Sequence, residues 1–267
     1  MKSILIQSPI IQYRSDMMIP EWIMAGLWGL IAGSALLIGA LFAYFFKIPQ
    51  RIVASVMAFG AGVLLSAISL ELMEEAFTLG GFSNMVTGFI LGALIFTTIN
   101  IYLARKGAKH RKRSRKINSN ATSESNSLSI AVGSVIDGIP ESIAIGITII
   151  SGGAVSVATV VAIFISNIPE GLSSTAGIKD AGWNFRSIFG MWLLIVAVSG
   201  AASLAGYAVF SQLPDSINSL TLALAAGGIL AMLVDTMIPE AFSETHDLAG
   251  LITVLGFILS FVLSKIG

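Results

Sequence analysis

Long uncharged apolar stretches, separated by short polar connections, dominate the chain. Each stretch has roughly 20 residues, which is the length that an α-helix needs to cross a bilayer core of about 30 Å. The pattern predicts eight transmembrane helices, at residues 22–46, 52–76, 82–104, 128–150, 154–177, 187–210, 217–242 and 248–266. We therefore expect an all-α polytopic membrane protein in which residues 1–267 form a single transmembrane domain.

Composition agrees with this pattern and excludes several kinds of site. Of the 267 residues, 55% are apolar and 11% are charged, whereas a soluble domain has about 25% charged residues. Fifteen Lys and Arg residues balance fifteen Asp and Glu residues, so the overall charge indicates neither a nucleic-acid partner nor an acidic one. The chain has no cysteine, which excludes disulfides, thiolate metal sites and cysteine nucleophiles.

The distribution of positive charge predicts the topology. Twelve of the fifteen Lys and Arg residues fall in the loops after spans one, three and five, and the others (Lys2, Arg14 and Lys265) fall near the termini. Cytoplasmic loops are enriched in Lys and Arg, so we expect both termini outside the cytoplasmic membrane. Residues 1–21 lack a signal-peptide pattern and are expected to be an exposed leader. The basic, polar loop 105–127 is expected to be disordered, as a topology signal or a regulatory segment.

Two internal repeats predict an inverted architecture. Ile139-Pro140-Glu141 recurs as Ile168-Pro169-Glu170 on the next span, which must run in the opposite direction. The segment from Gly62 to Phe77 matches the segment from Gly227 to Phe242 at a fixed offset, again on spans of opposite direction. Transporters use inverted repeats with interrupted helices to build a substrate site near the bilayer midplane. Chance similarity between apolar helices is the alternative explanation.

Two Gly-x-x-x-Gly patterns predict where helices pack closely. They are Gly29 with Gly33 in span one and Gly88 with Gly92 in span three. Small residues at this spacing let two helix backbones approach each other. We interpret both patterns as packing signals rather than functional motifs.

Three acids lie deep inside the predicted spans, where an ionised side chain costs about 2.5 to 3.5 kcal/mol. Asp137 and Glu141 share one face of span four because they are four residues apart, and Glu170 lies at a similar depth on span five. Ser166 and Asn167 precede Glu170 by one turn and add neutral oxygen atoms. No Lys or Arg lies inside these spans, so we expect a bound divalent cation as the counter-charge. Protonated acids that hydrogen-bond across a kinked helix pair are the alternative.

These residues resemble the ZIP (Zrt/Irt-like protein) family of divalent-metal transporters, in its prokaryotic type, over essentially the whole chain. The resemblance rests on the eight spans, on the charged loop after span three and on the paired x-Pro-Glu motifs. The fourth span of the family usually reads His-Asn-x-Pro-Glu-Gly, whereas this chain has Asp137-Gly138-Ile139-Pro140-Glu141-Ser142. The family's fifth-span motif corresponds here to Ser166-Asn167-Ile168-Pro169-Glu170-Gly171, which retains the glutamate.

The resemblance implies transport of a divalent metal, and the departures from the family motif change the expected ligands. Asp137 stands where the family has histidine, which leaves an all-oxygen site. Such a site suits Mn²⁺ well and Fe²⁺ acceptably, while Zn²⁺ stays possible. Gly138 has no side chain to donate and span six has no carboxylate, so we expect one metal rather than two. A homodimer in the lipid bilayer stays possible.

Acids at the ends of spans two and seven suggest a transport pathway to the site. Glu71 and Glu75 lie towards the outer end of span two, and Asp235 and Glu240 lie towards the inner end of span seven. A cation could pass along these carboxylates, of which we expect Glu71 and Asp235 to lie deepest. Solvated acids at helix ends are the alternative.

Three functions fit these features. The favoured one is a carrier or slow channel, without enzymatic activity, that moves a divalent metal (Mn, Fe or Zn) into the cell. The second is a membrane sensor that binds the metal without moving it. The third and least favoured is an intramembrane hydrolase in which Asp137 and Glu170 share a proton.

Overall fold

The computed structural model describes residues 19–103, 123–152, 156–180 and 182–266. In these ranges the regular secondary structure is helical. Within these ranges the α-helices are α1 (Glu21–Phe45), α2 (Gln50–Ala67), α3 (Met73–Leu103), α4 (Ser123–Gly152), α5 (Val157–Asp180), α6 (Phe185–Phe210), α7 (Asp215–Met232), α8 (Ile238–Thr245) and α9 (Ala249–Ile266). Two π-helical turns, Ile68–Leu72 and Leu233–Met237, join α2 to α3 and α7 to α8. A single 3₁₀ turn, His246–Leu248, joins α8 to α9.

Most of the predicted leader and of the basic loop lies outside the described residues. The description begins at residue 19, and it omits residues 104–122. Residues 123–127, which we expected in the disordered loop, are the first turns of α4. Polar residues can continue a helix beyond the apolar segment that a hydropathy pattern detects, which explains the difference.

Six continuous helical runs in the described residues are long and apolar enough to cross a membrane. The apolar pattern of the sequence, in contrast, predicts eight spans. Four of them (Glu21–Phe45, Gly133–Ile150, Val157–Asp180 and Phe185–Phe210) coincide with predicted spans one, four, five and six. The other two, Gln50–Tyr102 and Asp215–Ile266, each contain two predicted spans. The protein is therefore a multi-pass membrane protein built from helices.

Each of the two long runs is interrupted by a residue with left-handed backbone geometry. Gly81 has φ 74° within α3, and His246 has φ 41° directly after α8. Glycine adopts such an angle at little cost, whereas a residue with a side chain does so rarely. Both interruptions lie at the predicted boundaries between adjacent spans.

The helices pack as two bundles. In the first bundle, α1 packs against α5 and α6, and α4 packs against α6. In the second bundle, α3 packs against α7, and α2 packs against α8 and α9. The main contacts between the bundles are those of α5 with α2 and of α4 with α7, whereas α4 and α5 hardly contact each other. The predicted site helices α4 and α5 therefore both face the second bundle.

Glycines allow the helices within each bundle to touch backbone to backbone. A methyl group at Gly92 of α3 would overlap the carbonyl oxygen of Leu224 in α7, and one at Gly227 of α7 would overlap that of Phe89. The predicted packing patterns are confirmed in the same way. Gly29 and Gly33 approach α6, and Gly88 and Gly92 approach α7.

Candidate metal-binding site and its approaches

Helix α4 carries two of the predicted acids deep in the protein. The exposed fractions of Asp137 and Glu141 are 5% and 3%. Asp137 and Pro140 line a cavity of about 90 Å³ between α4 and the second bundle. The other lining side chains come mainly from α3 and α7 and are apolar, for example Phe96 and Ile229. Asp137 therefore faces the gap between the two bundles.

Helix α5 carries the third predicted acid on a face that also meets the second bundle. Glu170 is 8% exposed, and it lies between Ser166 and Ser173 at helical spacing. The Cα of Ser166 would lie 3.2 Å from a Cβ added to Gly60 of α2. The hydroxyl of Ser173 donates a hydrogen bond of 2.9 Å to the Glu240 carboxylate of α8. The face around Glu170 is thus flanked by α2 and α8.

The two neutral ligands predicted on α5 already have partners within the protein. The Ser166 hydroxyl donates to the Ile163 carbonyl oxygen of its own helix at 2.9 Å. The Asn167 side-chain amide donates to the Ala32 carbonyl oxygen of α1 at 3.0 Å. The amide nitrogen of Asn167 therefore joins α5 to α1, and its side-chain oxygen is the atom that could coordinate a cation.

Replacing Asn167 with alanine removes this bond between α1 and α5, and we expect the free energy of unfolding to fall by about 1 kcal/mol. Thermal unfolding in detergent measures the effect. Ser166→Ala is the matched control, because it removes a hydrogen bond within one helix and should cost less. Equal stability of the Asn167 variant and the wild type would contradict the packing role.

The acids of the predicted pathway accept hydrogen bonds from distant residues. Glu71, in the first π-helical turn, accepts a 2.7 Å hydrogen bond from the hydroxyl of Ser156, which precedes α5. Asp235, in the second π-helical turn, accepts one of 3.3 Å from the side-chain amide of Asn100. Ser156, directly before α5, and Ser173, within α5, thus donate to carboxylates of the second bundle.

The burial of the pathway acids differs from the sequence-based expectation. Asp235, which we expected to lie deep, is exposed, whereas Glu240 is 8% exposed. Glu71 and Glu75 are half-buried. Position along the chain alone suggested depth, but burial also depends on the helix face, and Glu240 faces Ser173 of α5.

No three His, Cys, Asp or Glu side chains among the described residues form a group that could hold a metal ion. Glu141 and Asp137 share a helix, while Glu170 stands on α5, which hardly contacts α4. The predicted ligand set, including Ser166 and Asn167, stays a prediction.

Some polar partners near these acids were missed in the sequence. Ser173 lies one turn after Glu170, so helical spacing could have identified it as a member of the same face. No local signal identifies Ser156 or Asn100, because their partners lie 85 and 135 residues away in the chain.

Comparison with known proteins assigns the family. Residues 102–264 match the family model described as ZIP Zinc transporter. The match covers well over half of the chain and includes α4 to α8 and both Pro-Glu motifs. No curated protein matches the chain significantly in sequence. The members of this family transport divalent metals and are not enzymes. The chain belongs to the ZIP zinc transporter family.

Proposed function

We propose that this protein moves a divalent metal cation through a midplane site on α4 and α5, with Asp137, Glu141 and Glu170 as the principal ligands. Family membership supports transport of divalent metals in general. The main support for this site is that all three acids are buried in helices whose interiors contain no Lys or Arg. A buried carboxylate needs a proton or a cation, and a transported metal supplies that charge.

The ligand chemistry favours Mn²⁺ or Fe²⁺, with Zn²⁺ as a further substrate. Carboxylate, amide and hydroxyl oxygens are the ligands that harder divalent ions prefer. A single metal fits better than a pair. Gly138 has no side chain that could coordinate a second metal. A Cβ added to Gly138 would lie 3.6 Å from the Ser199 hydroxyl oxygen of α6.

The chain is also proposed to cross the membrane eight times. Along α3 and α7, Asn84 lies beside Ser216 and Asn100 lies beside Asp235, so these helices run in the same direction. Gly62 of α2 meanwhile touches Thr253 of α9. A straight helix of 53 residues would be about 80 Å long. The pairing of α3 with α7 and that of α2 with α9 can both hold only if each long helical run reverses its direction. This supports turns at Gly81 and His246.

The turn at Gly81 gives this topology a sharp test. A cysteine at Phe82 should react with a membrane-impermeant thiol reagent added on the side opposite to the one that labels a cysteine at Lys47. The wild-type chain has no cysteine, so labelling is free of background. Protection of a cysteine at Phe82 from both sides would place it within a span and contradict eight crossings.

The proposed inverted repeat gains support from the π-helical turns. Ile68–Leu72 and Leu233–Met237 are separated by the same offset as Gly62 and Gly227. Each turn carries one pathway acid, Glu71 or Asp235. Two π-helical turns at equivalent positions would not be expected if the similarity between the segments starting at Gly62 and Gly227 were due to chance.

The proposed orientation places both termini outside the cytoplasmic membrane. Its support is that the connections α1–α2 and α5–α6, which carry Lys47, Arg51 and Arg186, lie at one end of the first bundle. A homodimer is retained as a proposal. Chemical crosslinking of the chain in its native membrane would test it.

Metal uptake into proteoliposomes tests the proposed function. Purified protein should accumulate Mn²⁺, Fe²⁺ or Zn²⁺ inside the vesicles along a metal gradient, and empty vesicles should not. Tight binding of the metal to the purified protein without uptake would instead identify a sensor. The hydrolase alternative is disfavoured because the family to which the chain belongs consists of transporters rather than enzymes.

Neutralising Glu71 and Asp235 together should lower uptake at low metal concentration by about tenfold, because charges that line an approach raise the local concentration of the ion. Glu71→Gln and Asp235→Asn retain an oxygen for the Ser156 and Asn100 donors, so the change removes charge alone. Uptake rates measured over a range of metal concentrations would show the loss.

The control replaces two exposed acids, Glu74→Gln with Asp247→Asn, and it should leave uptake unchanged. Normal uptake by the Glu71 and Asp235 double variant would remove both residues from the pathway.

A further inference from the structure

Four exposed cations cluster at the end of the first bundle where α1 and α5 end and α2 and α6 begin. They are Lys47, Arg51, Lys179 and Arg186. Asp180 is the acid among the residues that connect these helices. The surface, which we call the basic end, therefore has an excess of positive charge. The metal-transport proposal does not use it.

Direct contacts hold the two connections of the basic end together. The Lys179 ammonium donates a hydrogen bond of 2.5 Å to the Tyr44 carbonyl oxygen at the end of α1, and it lies 4.9 Å from the centroid of the Tyr44 ring. The Tyr44 ring meets the Phe185 ring edge to face at 5.1 Å, and Phe185 stacks on Phe189 at 4.2 Å. The ends of α1 and α5 and the start of α6 are thus fixed side by side.

The cations of the basic end are available to an external anion. Within the described ranges, Lys47, Arg51 and Arg186 form no ion pair with a carboxylate. Each guanidinium can donate two parallel hydrogen bonds to a phosphate group. Among the described residues, the charges of these three side chains are therefore not neutralised by a carboxylate.

Apolar rings extend from the same end towards the membrane interior. Phe42, Phe45 and Phe46 are each more than half exposed, on the last turn of α1 and directly after it. In a membrane protein, exposed rings of this kind contact acyl chains, while cations one turn further lie at the level of the lipid headgroups. The combination of rings and cations matches an amphipathic ligand with an anionic head.

We propose that the basic end binds the headgroup of an anionic phospholipid, with the phosphate at Arg51, Arg186, Lys47 and Lys179 and the acyl chains along Phe42, Phe45 and Phe46. The charge and the adjoining apolar rings together favour a lipid over a free phosphate ion. Zwitterionic lipids carry a compensating ammonium and should bind more weakly. The bound lipid would join the α1–α2 and α5–α6 connections.

Lipid retention by the full-length protein tests this proposal. The protein is reconstituted in nanodiscs of equal parts phosphatidylglycerol and phosphatidylcholine, released into mild detergent, and its retained lipids are counted by native mass spectrometry. We expect preferential retention of phosphatidylglycerol, and a loss of about fivefold in that preference for each cation that is replaced by glutamine. The variant Lys47→Gln, Arg51→Gln, Lys179→Gln and Arg186→Gln should show no preference.

Three further variants keep the result interpretable. Lys265→Gln is the matched control, since Lys265 also lies at a helix end beside an aromatic ring, Phe261, but outside the basic end. Lys47→Arg with Lys179→Arg keeps the charge and should keep the preference. If the fourfold variant fails to fold, Arg51→Gln with Arg186→Gln tests the same surface.

Three results would overturn the proposal. The first is equal retention of both lipids by the wild type, and the second is an equal loss caused by Lys265→Gln. The third is displacement of the lipid by inorganic phosphate at low millimolar concentration, because it would identify a site for a soluble anion rather than a lipid.

Discussion

Replacement of Glu170 by glutamine should lower metal uptake by at least about 100-fold, and we expect a similar effect from the same change at Glu141. Loss of a residue that only supports a metal ligand typically costs about 10- to 100-fold in affinity or activity, so loss of a charged ligand should exceed that range. Both glutamates are nearly fully buried in helices that face the gap between the bundles. Glutamine keeps the shape of the side chain and removes its charge.

Uptake into proteoliposomes and metal binding by calorimetry should be measured together for these variants. A transporter loses both, whereas a defect in folding would appear first in the thermal unfolding temperature. Glu74→Gln is the control, because Glu74 is exposed and the Thr78 hydroxyl bonds to its backbone carbonyl rather than to its carboxylate. Undiminished uptake by the Glu170 variant would refute the midplane site while leaving membership of the family intact.

The deep acids could be recognised from the sequence because their signal is local. A carboxylate in the middle of an apolar stretch is conspicuous, and its distance from both ends of the helix predicts that it lies deep in the membrane. Asp137, Glu141 and Glu170 are all buried as the pattern indicates. The repeated Pro-Glu pair also predicts that α4 and α5 are related as inverted repeats, and this relation stays a proposal.

The direction in which each polar residue of α5 points could not be predicted from the same pattern. Ser166 and Asn167 are adjacent in sequence, yet Ser166 lies against α2 and Asn167 bonds to α1. Helical periodicity separates these faces by about 100° but does not say which helix covers each face. That information lies in contacts between residues more than 100 positions apart, as for Asn167 and Ala32.

The two breaks in the long helical runs differ in how visible they are. Gly81 follows another glycine and lies in the predicted connection, so the sequence indicates a turn there. His246 has no such signal, because histidine seldom adopts a positive φ. The π-helical turns cannot be recognised from the apolar pattern either. The segments Ile68–Leu72 and Leu233–Met237 are mainly apolar, like the α-helices on both sides of them.

A methyl group added at Gly227 should destabilise the second bundle by about 3 kcal/mol or more, the upper range for an overfilled core. In Gly227→Ala the new Cβ would overlap the carbonyl oxygen of Phe89, and a backbone atom cannot turn aside as a side chain can. Helices α3 and α7 would have to separate along much of their length. Thermal unfolding in detergent, followed by size-exclusion chromatography, measures the loss.

Two comparisons make this result specific to the contact between α3 and α7. Gly190→Ala is the matched control, because its Cβ would meet nothing within 4 Å and alanine favours a helix over glycine by about 1 kcal/mol. Its stability should equal or exceed that of the wild type. Gly92→Ala, which overlaps the Leu224 carbonyl oxygen from the other side, should resemble Gly227→Ala. The double variant should lose less than the sum, since one separation of the helices relieves both overlaps. Wild-type stability of Gly227→Ala would show that α3 and α7 do not meet at this point.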